Sequence, residues 1–331
     1  MNKLSSSLIL LYLCSTTLLA KPLVIAHRGA SGYLPEHTTE ALVMAYMQGA
    51  DYVEQDLVLS KDGHLTVLHD IHIDTTTDVA QKFPNRKRPD GRYYAIDLNL
   101  AELKSLQVRE RTNTEQQQVY ENRFRGKAGF QIATLAEHIQ IIQQLNRQLN
   151  KNVGWYIEIK APQWHLDQGQ DIAEILLNSL NKHNLNHKQA KVFVQCFDFK
   201  HTKRLRRELG LKTQLVQLIA ENEWGESDTN YEYLKTPNGL AEIAAVADGI
   251  GPWIPQILNF REGQYVLTGY TERAQAAGLL VHPYTFRTDA LPTGISEQEL
   301  LDALFQIAKV DGVFSDFSDR VVQYLNQIDG H

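Results

Sequence analysis

Ile25-Ala26-His27-Arg28-Gly29-Ala30-Ser31-Gly32 and, further on, Val53-Glu54-Gln55-Asp56-Leu57 with Val67-Leu68-His69-Asp70 decide the reading of this chain. In each stretch a β-branched or apolar run stops abruptly in residues that a buried strand does not choose. Side chains alternate along a strand, so Glu54 and Asp56 aim at one face. Carboxylates are almost never fully buried unless paired or bound to metal. Two acids on one face therefore predict metal ligands, against the plainer reading of a strand face turned to water. Two histidines at strand ends, His27 and His69, tip that balance towards chemistry.

Outward from these stretches, strand-like runs alternate with helical ones, which predicts a parallel sheet with crossover helices. The candidate strands are 23–26, 52–57, 156–160, 192–196, 214–218, 249–251, 279–283 and 312–315. Eight such units close a (β/α)8 TIM barrel. Thr134 with Glu137 and Ser296 with Glu299 read as capping boxes that open helices, and Gly49, Gly210 and Gly278 as helix stops. Two pieces depart from the repeat. Lys61-Asp62-Gly63-His64 is a tight-turn signal, so a β-hairpin is expected after strand 2, carrying His69 towards the level of Glu54 and Asp56. Residues 71–132 are rich in Arg, Gln, Asn and Asp. A structureless loop of that length is improbable, so they predict a small inserted domain over the barrel mouth with a short helix near 100–106.

The 331 residues carry 33 Lys and Arg against 39 Asp and Glu, a net charge of −6. No basic block forms a nucleic-acid track; Arg204, Arg206 and Arg207 read as a solvated helix face. Residues 1–20 have the pattern of an export signal: Lys3, an apolar run over 8–19, and Ala20 before a cut. That run is too short for a stable membrane span, which needs roughly 20 residues. An exported, periplasmic protein is expected, with lipid modification at Cys14 as the second form, set back by the bulky Tyr12 and Leu13. The remainder, 21–331, reads as a single barrel domain whose one cysteine, Cys196, is a buried inert thiol.

Barrel chemistry sits at the carboxyl ends of the strands. There the chain places His27 and Arg28, Glu54 and Asp56, His69 and Asp70, Glu158 and Lys160, Gln195 and Phe197, His282 and Tyr284, and Ser315 and Asp316. Glu54, Asp56 and Glu158, without a partnering Cys, suit a hard divalent cation such as Ca²⁺, Mg²⁺ or Mn²⁺ better than Zn²⁺. Arg28 and Lys160 add fixed positive charge for a phosphate-like group. Two imidazoles then offer acid and base near neutral pH. Plainer readings stand beside these. Lys160 and Glu158 could form an ordinary strand-end ion pair, Asp70 could orient His69 or simply open the insert, and His37 could cap a helix or bond a neighbouring carboxylate.

At these residues the chain resembles the glycerophosphodiester phosphodiesterases, and within them the periplasmic branch. The resemblance runs from about residue 23 to the end. It rests on His27-Arg28-Gly29-Ala30, Glu54 with Asp56, Lys61-Asp62-Gly63 leading to His69-Asp70, Glu158-Ile159-Lys160, Gln195-Cys196-Phe197-Asp198, Ala247-Asp248-Gly249-Ile250-Gly251-Pro252 and His282-Pro283-Tyr284-Thr285. It implies a (β/α)8 barrel with an insertion and one divalent cation, Ca²⁺ or Mg²⁺, on Glu54, Asp56 and Glu158. It further implies His27 and His69 as acid and base, with Arg28, Lys160, Phe197 and Tyr284 against the substrate. The reaction it implies takes a glycerophosphodiester and water to glycerol 3-phosphate and an alcohol, through a cyclic phosphate. His37 stands where much of the family has Asn, and Ala133 where Pro is usual. Two other readings stay open: a related metal-dependent phosphodiesterase acting on lipid, and a non-catalytic exported binding protein.

Overall fold

The computed structural model describes residues 21–126, 128–261 and 264–329. The export signal read at 1–20 lies outside the described residues. The strands, in chain order, are β1 (Leu23–Ala26), β2 (Tyr52–Leu59), β3 (Leu65–Val67), β4 (Gly154–Ile159), β5 (Val192–Cys196), β6 (Gln214–Ile219), β7 (Gly249–Pro252), β8 (Leu258–Arg261), β9 (Gln264–Leu267), β10 (Leu280–Val281) and β11 (Gly312–Ser315). Eight of them run parallel in the order β10-β7-β6-β5-β4-β2-β1-β11. Across the remaining seam, Asp311 N–H donates to Val281 O (3.0 Å) and Phe286 N–H to Phe314 O (2.8 Å), so the sheet is a nearly closed barrel. These are the eight strand positions expected from the sequence, with the seventh trimmed to two residues.

Alternation along the strands explains how one sheet makes both core and site. Val53 and Leu57 on β2, Trp155 and Ile157 on β4, and Val192 and Val194 on β5 point outward into the layer packed under the helices. Their neighbours point inward. Ile25, Tyr52, Tyr156, Phe193, Val216 and Phe314 form an apolar plug inside the barrel. Tyr156 stacks on Phe193 at 4.8 Å and meets Phe314 edge-on at the same separation. Burial of a ring such as Phe314 contributes roughly 1.5–3 kcal/mol of transfer free energy. Two residues further along each strand, one layer up, stand His27, Glu54, Glu158, Gln195 and Asp316. The plug is therefore the floor on which the polar residues sit.

Beyond the barrel rim β2 turns back at Lys61–His64 and pairs antiparallel with β3, Leu57 facing Val67 and Leu59 facing Leu65. Residues 71–132 gather around a second apolar cluster that includes Ile73, Val79, Leu98, Leu103, Leu106 and Phe130. Within it helix Leu100–Ser105 opens on a capping box between Asn99 and Glu102. The boxes at Thr134 and Ser296 open helices Leu135–Leu149 and Glu297–Asp302 as read from the sequence. The antiparallel pair β8–β9 was not expected; along β9 the side chains alternate between exposed and half-buried, and so carry little apolar signal. No helix among the described residues is long and apolar enough to cross a membrane.

Several buried histidines have structural roles. His165 accepts the Leu59 amide at Nε2 (3.2 Å), which requires that nitrogen to be unprotonated. His282 pairs through Nδ1 with the Tyr156 hydroxyl (2.9 Å) beneath the site. Burial pulls His282 and His138 down to about 3 and His165 to about 4. In the unfolded chain each would titrate near 6.5, so below that pH the unfolded state takes up protons the folded state refuses. Stability tied to each neutral imidazole is thus present above about pH 6.5 and is lost as pH falls towards the folded value. His138, with neither ring nitrogen hydrogen-bonded, isolates the effect. His138→Leu should gain stability relative to the parent by up to about 1.4 kcal/mol per pH unit between pH 6.5 and 4. Denaturant unfolding at several pH values checks this; a stability difference that does not change with pH contradicts it.

Candidate active site

A cavity of about 400 Å³ opens at the carboxyl ends of the barrel strands, above the plug. Its first wall comes from the turn after β1. Arg28 and Gly29 are consecutive residues with positive φ, 58° and 82°. A side chain at Gly29 would put its Cβ 2.8 Å from the Ala41 backbone, so only glycine fits that tight return. The turn aims the Arg28 amide at Glu54 Oε2 (2.9 Å) and its guanidinium at Glu36 (3.2 Å) and Asp56 (3.7 Å). Left-handed backbone at a bulky residue such as Arg28 is tolerated where surrounding contacts hold it.

Glu54 and Asp56 rise from β2, and Glu158 stands beside Asp56 in the register of β4. One ligand oxygen from each of the three lies within 4.8 Å of the others, and all three residues are buried. At that separation each ionised pair repels by roughly 3 kcal/mol at an effective dielectric of about 20. Burial together with Asp56 and Glu158 pushes Glu54 well above the usual carboxylate range, and burial takes Glu158 up to about 8. Asp56 goes the other way despite its burial, because His37 Nε2 bonds its Oδ2 at 2.7 Å. His37 thus bonds a neighbouring carboxylate; the helix cap is Thr38. Gln195 donates to Glu54 Oε1 (2.8 Å), whereas Asp56 Oδ1 is buried with no hydrogen-bond partner. An oxygen-only set, crowded with like charge and holding an orphaned buried oxygen, fits a hard divalent cation.

The two imidazoles line the same cavity as this cluster, each backed by an acid. His27 Nδ1 donates to Asp316 Oδ1 at 2.5 Å, which leaves Nε2 turned to the cavity, 3.8 Å from Glu54. His69 Nδ1 donates to Asp70 Oδ1 at 2.6 Å, and its Nε2 receives Lys160 Nζ at 3.4 Å. Both are biased towards the neutral form: burial and Arg28 lower His27, and burial, Arg28 and Lys160 take His69 down to about 3. Lys160 also pairs with Glu158 at 2.8 Å, so the strand-end ion pair exists and lies inside the cavity. Its ammonium sits 5.4 Å from the centre of the Phe197 ring, and Phe197 meets Tyr284 edge-on at 6.0 Å. All of His27, His69, Arg28, Lys160, Phe197, Tyr284, Glu54, Asp56 and Glu158 therefore line one space.

The sequence did not announce the outer ring of charge. Arg111 grips Glu36 through Nε (2.8 Å) and Nη2 (2.5 Å) and reaches Asp70 through Nη1 (2.5 Å). Arg123 donates to Asp316, to Asp289 (2.9 Å) and to the Ser31 carbonyl (3.2 Å). Both arginines come from the segment 71–132, so that segment holds in place the carboxylates behind both histidines. They were hidden among other basic residues there, and nothing in spacing alone separates Arg111 and Arg123 from Arg109 and Arg125.

Comparison with known proteins gives the family and the fold. A family model described as the glycerophosphoryl diester phosphodiesterase family matches residues 27–320. A glycerophosphodiester phosphodiesterase of Haemophilus influenzae is 42% identical, over 96% of this chain and 93% of the relative. A crystal structure from Silicibacter pomeroyi shares the fold with a TM-score of 0.71 at 19% identity, covering 93% of this chain and 94% of the other. An Oleispira antarctica phosphodiesterase, described in complex with the product sn-glycerol-3-phosphate, superposes with a TM-score of 0.61 at 21% identity, over 92% and 97% of the two chains.

Proposed function

The chain belongs to the glycerophosphoryl diester phosphodiesterase family, and from that premise we propose that it hydrolyses glycerophosphodiesters, such as glycerophosphocholine or glycerophosphoethanolamine, to glycerol 3-phosphate and an alcohol. The observation that carries the reading is the one cavity lined by both an oxygen-only acidic triad and two acid-backed imidazoles.

Glu54, Asp56 and Glu158 would hold one divalent cation, Ca²⁺ or Mg²⁺. When bound, it would supply positive charge against a phosphoryl oxygen and lower the pKa of a coordinated hydroxyl. Arg28 and Lys160 bind the remaining phosphoryl oxygens and offset charge as it builds on them. One neutral imidazole takes the proton of a glycerol hydroxyl as that oxygen bonds to phosphorus. The other enters the step as the imidazolium and gives its Nε2 proton to the alcohol oxygen as that oxygen's bond to phosphorus breaks. Water then opens the cyclic phosphate with the two imidazoles exchanging tasks. Asp316 and Asp70 fix the Nδ1–H tautomers, which keeps both Nε2 atoms available for these transfers.

Incubating the purified protein with glycerophosphocholine and Ca²⁺ or Mg²⁺, then assaying glycerol 3-phosphate, tests the reading. Release of glycerol 3-phosphate is expected, and none with either metal contradicts it. Asp316→Asn should lower kcat by about 10²- to 10⁴-fold, because an amide permits the wrong tautomer of His27. Arg123 keeps Asp289 as its partner in that variant, so thermal unfolding should move little. Full turnover in Asp316→Asn would remove the orienting role. Export belongs to the same proposal, and recovery of the protein in a periplasmic fraction supports it.

A further inference from the structure

The cavity has two unlike halves. Everything charged towards phosphate comes from β11, β1, β2 with its hairpin, and β4. Beyond β5, β6, β7 and β10 stand Phe197, Trp224 with Glu226, Trp253 and Tyr284, which line the same space. We propose that this second half is the subsite for the alcohol portion of the diester and that it selects alcohols bearing an ammonium group, with Trp224 and Trp253 as aromatic walls and Glu226 as counter-charge. The inference rests on the reading of the site as a glycerophosphodiesterase.

Trp224 and Trp253 are 44% and 37% exposed although both are large apolar side chains. Their ring centres are 5.2 Å apart with the planes at 70°, an edge-to-face pair, and both side chains line the cavity. An indole face is the strongest aromatic partner for a cation, and walls of this kind suit quaternary ammonium groups. The other aromatics are already engaged. Lys160 covers Phe197, and the Tyr284 hydroxyl donates to the Ile219 carbonyl at 2.8 Å.

Glu226 supplies the sign of the charge. Among the described residues it forms no ion pair. It lies near enough to Lys160, Glu158 and Tyr284 to raise the pKa of each. The nearest free cation in that half would therefore be the substrate's own. Arg287, which lines the cavity with Arg28 and Lys160, is tied to Asp289 (3.1 Å) and Asp316 (3.5 Å) and lies over Tyr120. It belongs to the half that holds His27. An alcohol with an ammonium group two carbons from its oxygen meets opposite charge at both ends of such a cavity, whereas a neutral alcohol meets it only at the phosphate.

The test compares kcat/KM for glycerophosphocholine and glycerophosphoethanolamine with that for the neutral glycerophosphoglycerol, in the presence of Ca²⁺ or Mg²⁺. The wild type is expected to favour the cationic diesters at least fivefold. Glu226→Gln and Trp224→Ala/Trp253→Ala should each reduce that preference about five- to tenfold. Tryptophan fluorescence titrated with choline should saturate, and the response should be absent for the uncharged isostere 3,3-dimethylbutan-1-ol and in the double tryptophan variant. Hydrolysis of all three diesters with equal efficiency, or a preference that stays within twofold in every variant, overturns the inference while leaving the phosphodiesterase reading intact. Equal fluorescence response to choline and its isostere overturns it as well. No hydrolysis of any diester overturns the phosphodiesterase reading and this inference with it.

Discussion

His27→Ala and His69→Ala should each lower turnover of a glycerophosphodiester by about 10²- to 10⁴-fold while leaving thermal unfolding almost unchanged, the span expected for loss of a positioned acid or base. Both side chains face the cavity, with 17% and 26% of their surface exposed, so their removal opens no sealed void in the core. Nor does either change strand a buried charge, which would be the costly outcome. Without His27, Asp316 still pairs with Arg123; without His69, Asp70 still pairs with Arg111. The loss should fall on kcat, because the imidazoles move protons and the substrate phosphate is gripped by other groups. Glycerol 3-phosphate release and a melting curve for each variant decide the matter. Either variant with more than a tenth of normal turnover would take that histidine out of the acid–base pair.

A chelator should silence the enzyme, and Ca²⁺ or Mg²⁺ should restore it. The more discriminating version uses Glu54→Gln, for which activity is expected to be lost while the stability of the metal-free protein stays close to the parent's. In the metal-free protein Glu54 is pushed well above the usual carboxylate range by burial and by Asp56 and Glu158. Held that high, Glu54 carries its proton in the metal-free protein, and a neutral amide of the same shape takes its place without a change of charge, so the metal-free variant should melt close to its parent. Addition of cation should raise the melting temperature of the parent, since a ligand at 100 times its Kd adds about 2.7 kcal/mol to the folded state. The variant should show little of that rise and no turnover. An equal cation-dependent rise in both proteins would place the ion elsewhere.

Much of this arrangement is legible in the sequence. Period-two alternation is strict along β2 and β4, so Glu54, Asp56 and Glu158 had to share a face, and barrel topology brings the ends of distant strands together. The tight turn at Lys61–His64 delivered His69 to the level of those acids because a hairpin returns its chain to where it left. Legibility stopped where position depends on irregular backbone. Glu36, Arg111, Arg123 and Asp289 reach the site from turns and from the segment 71–132, where no period fixes which way a side chain points. Trp224 and Glu226 sit on a short exposed turn after β6 and carry no strand-end signature. His37 was readable only as two options, and its bond to Asp56 depends on a positive φ of 62° that sequence does not reveal. The pair β8–β9 escaped because strands packed outside the barrel need only half an apolar pattern.

The most direct measurement follows phosphorus-31 resonances of glycerophosphocholine hydrolysed in ¹⁸O-labelled water with Ca²⁺ or Mg²⁺ present. The diester signal should give way to glycerol 3-phosphate carrying the isotope on phosphorus, with unlabelled choline released. Labelled choline, or phosphocholine and glycerol as the products, would mean that another bond is broken. An unchanged diester signal would mean that the acids and imidazoles gathered at this rim serve some other purpose.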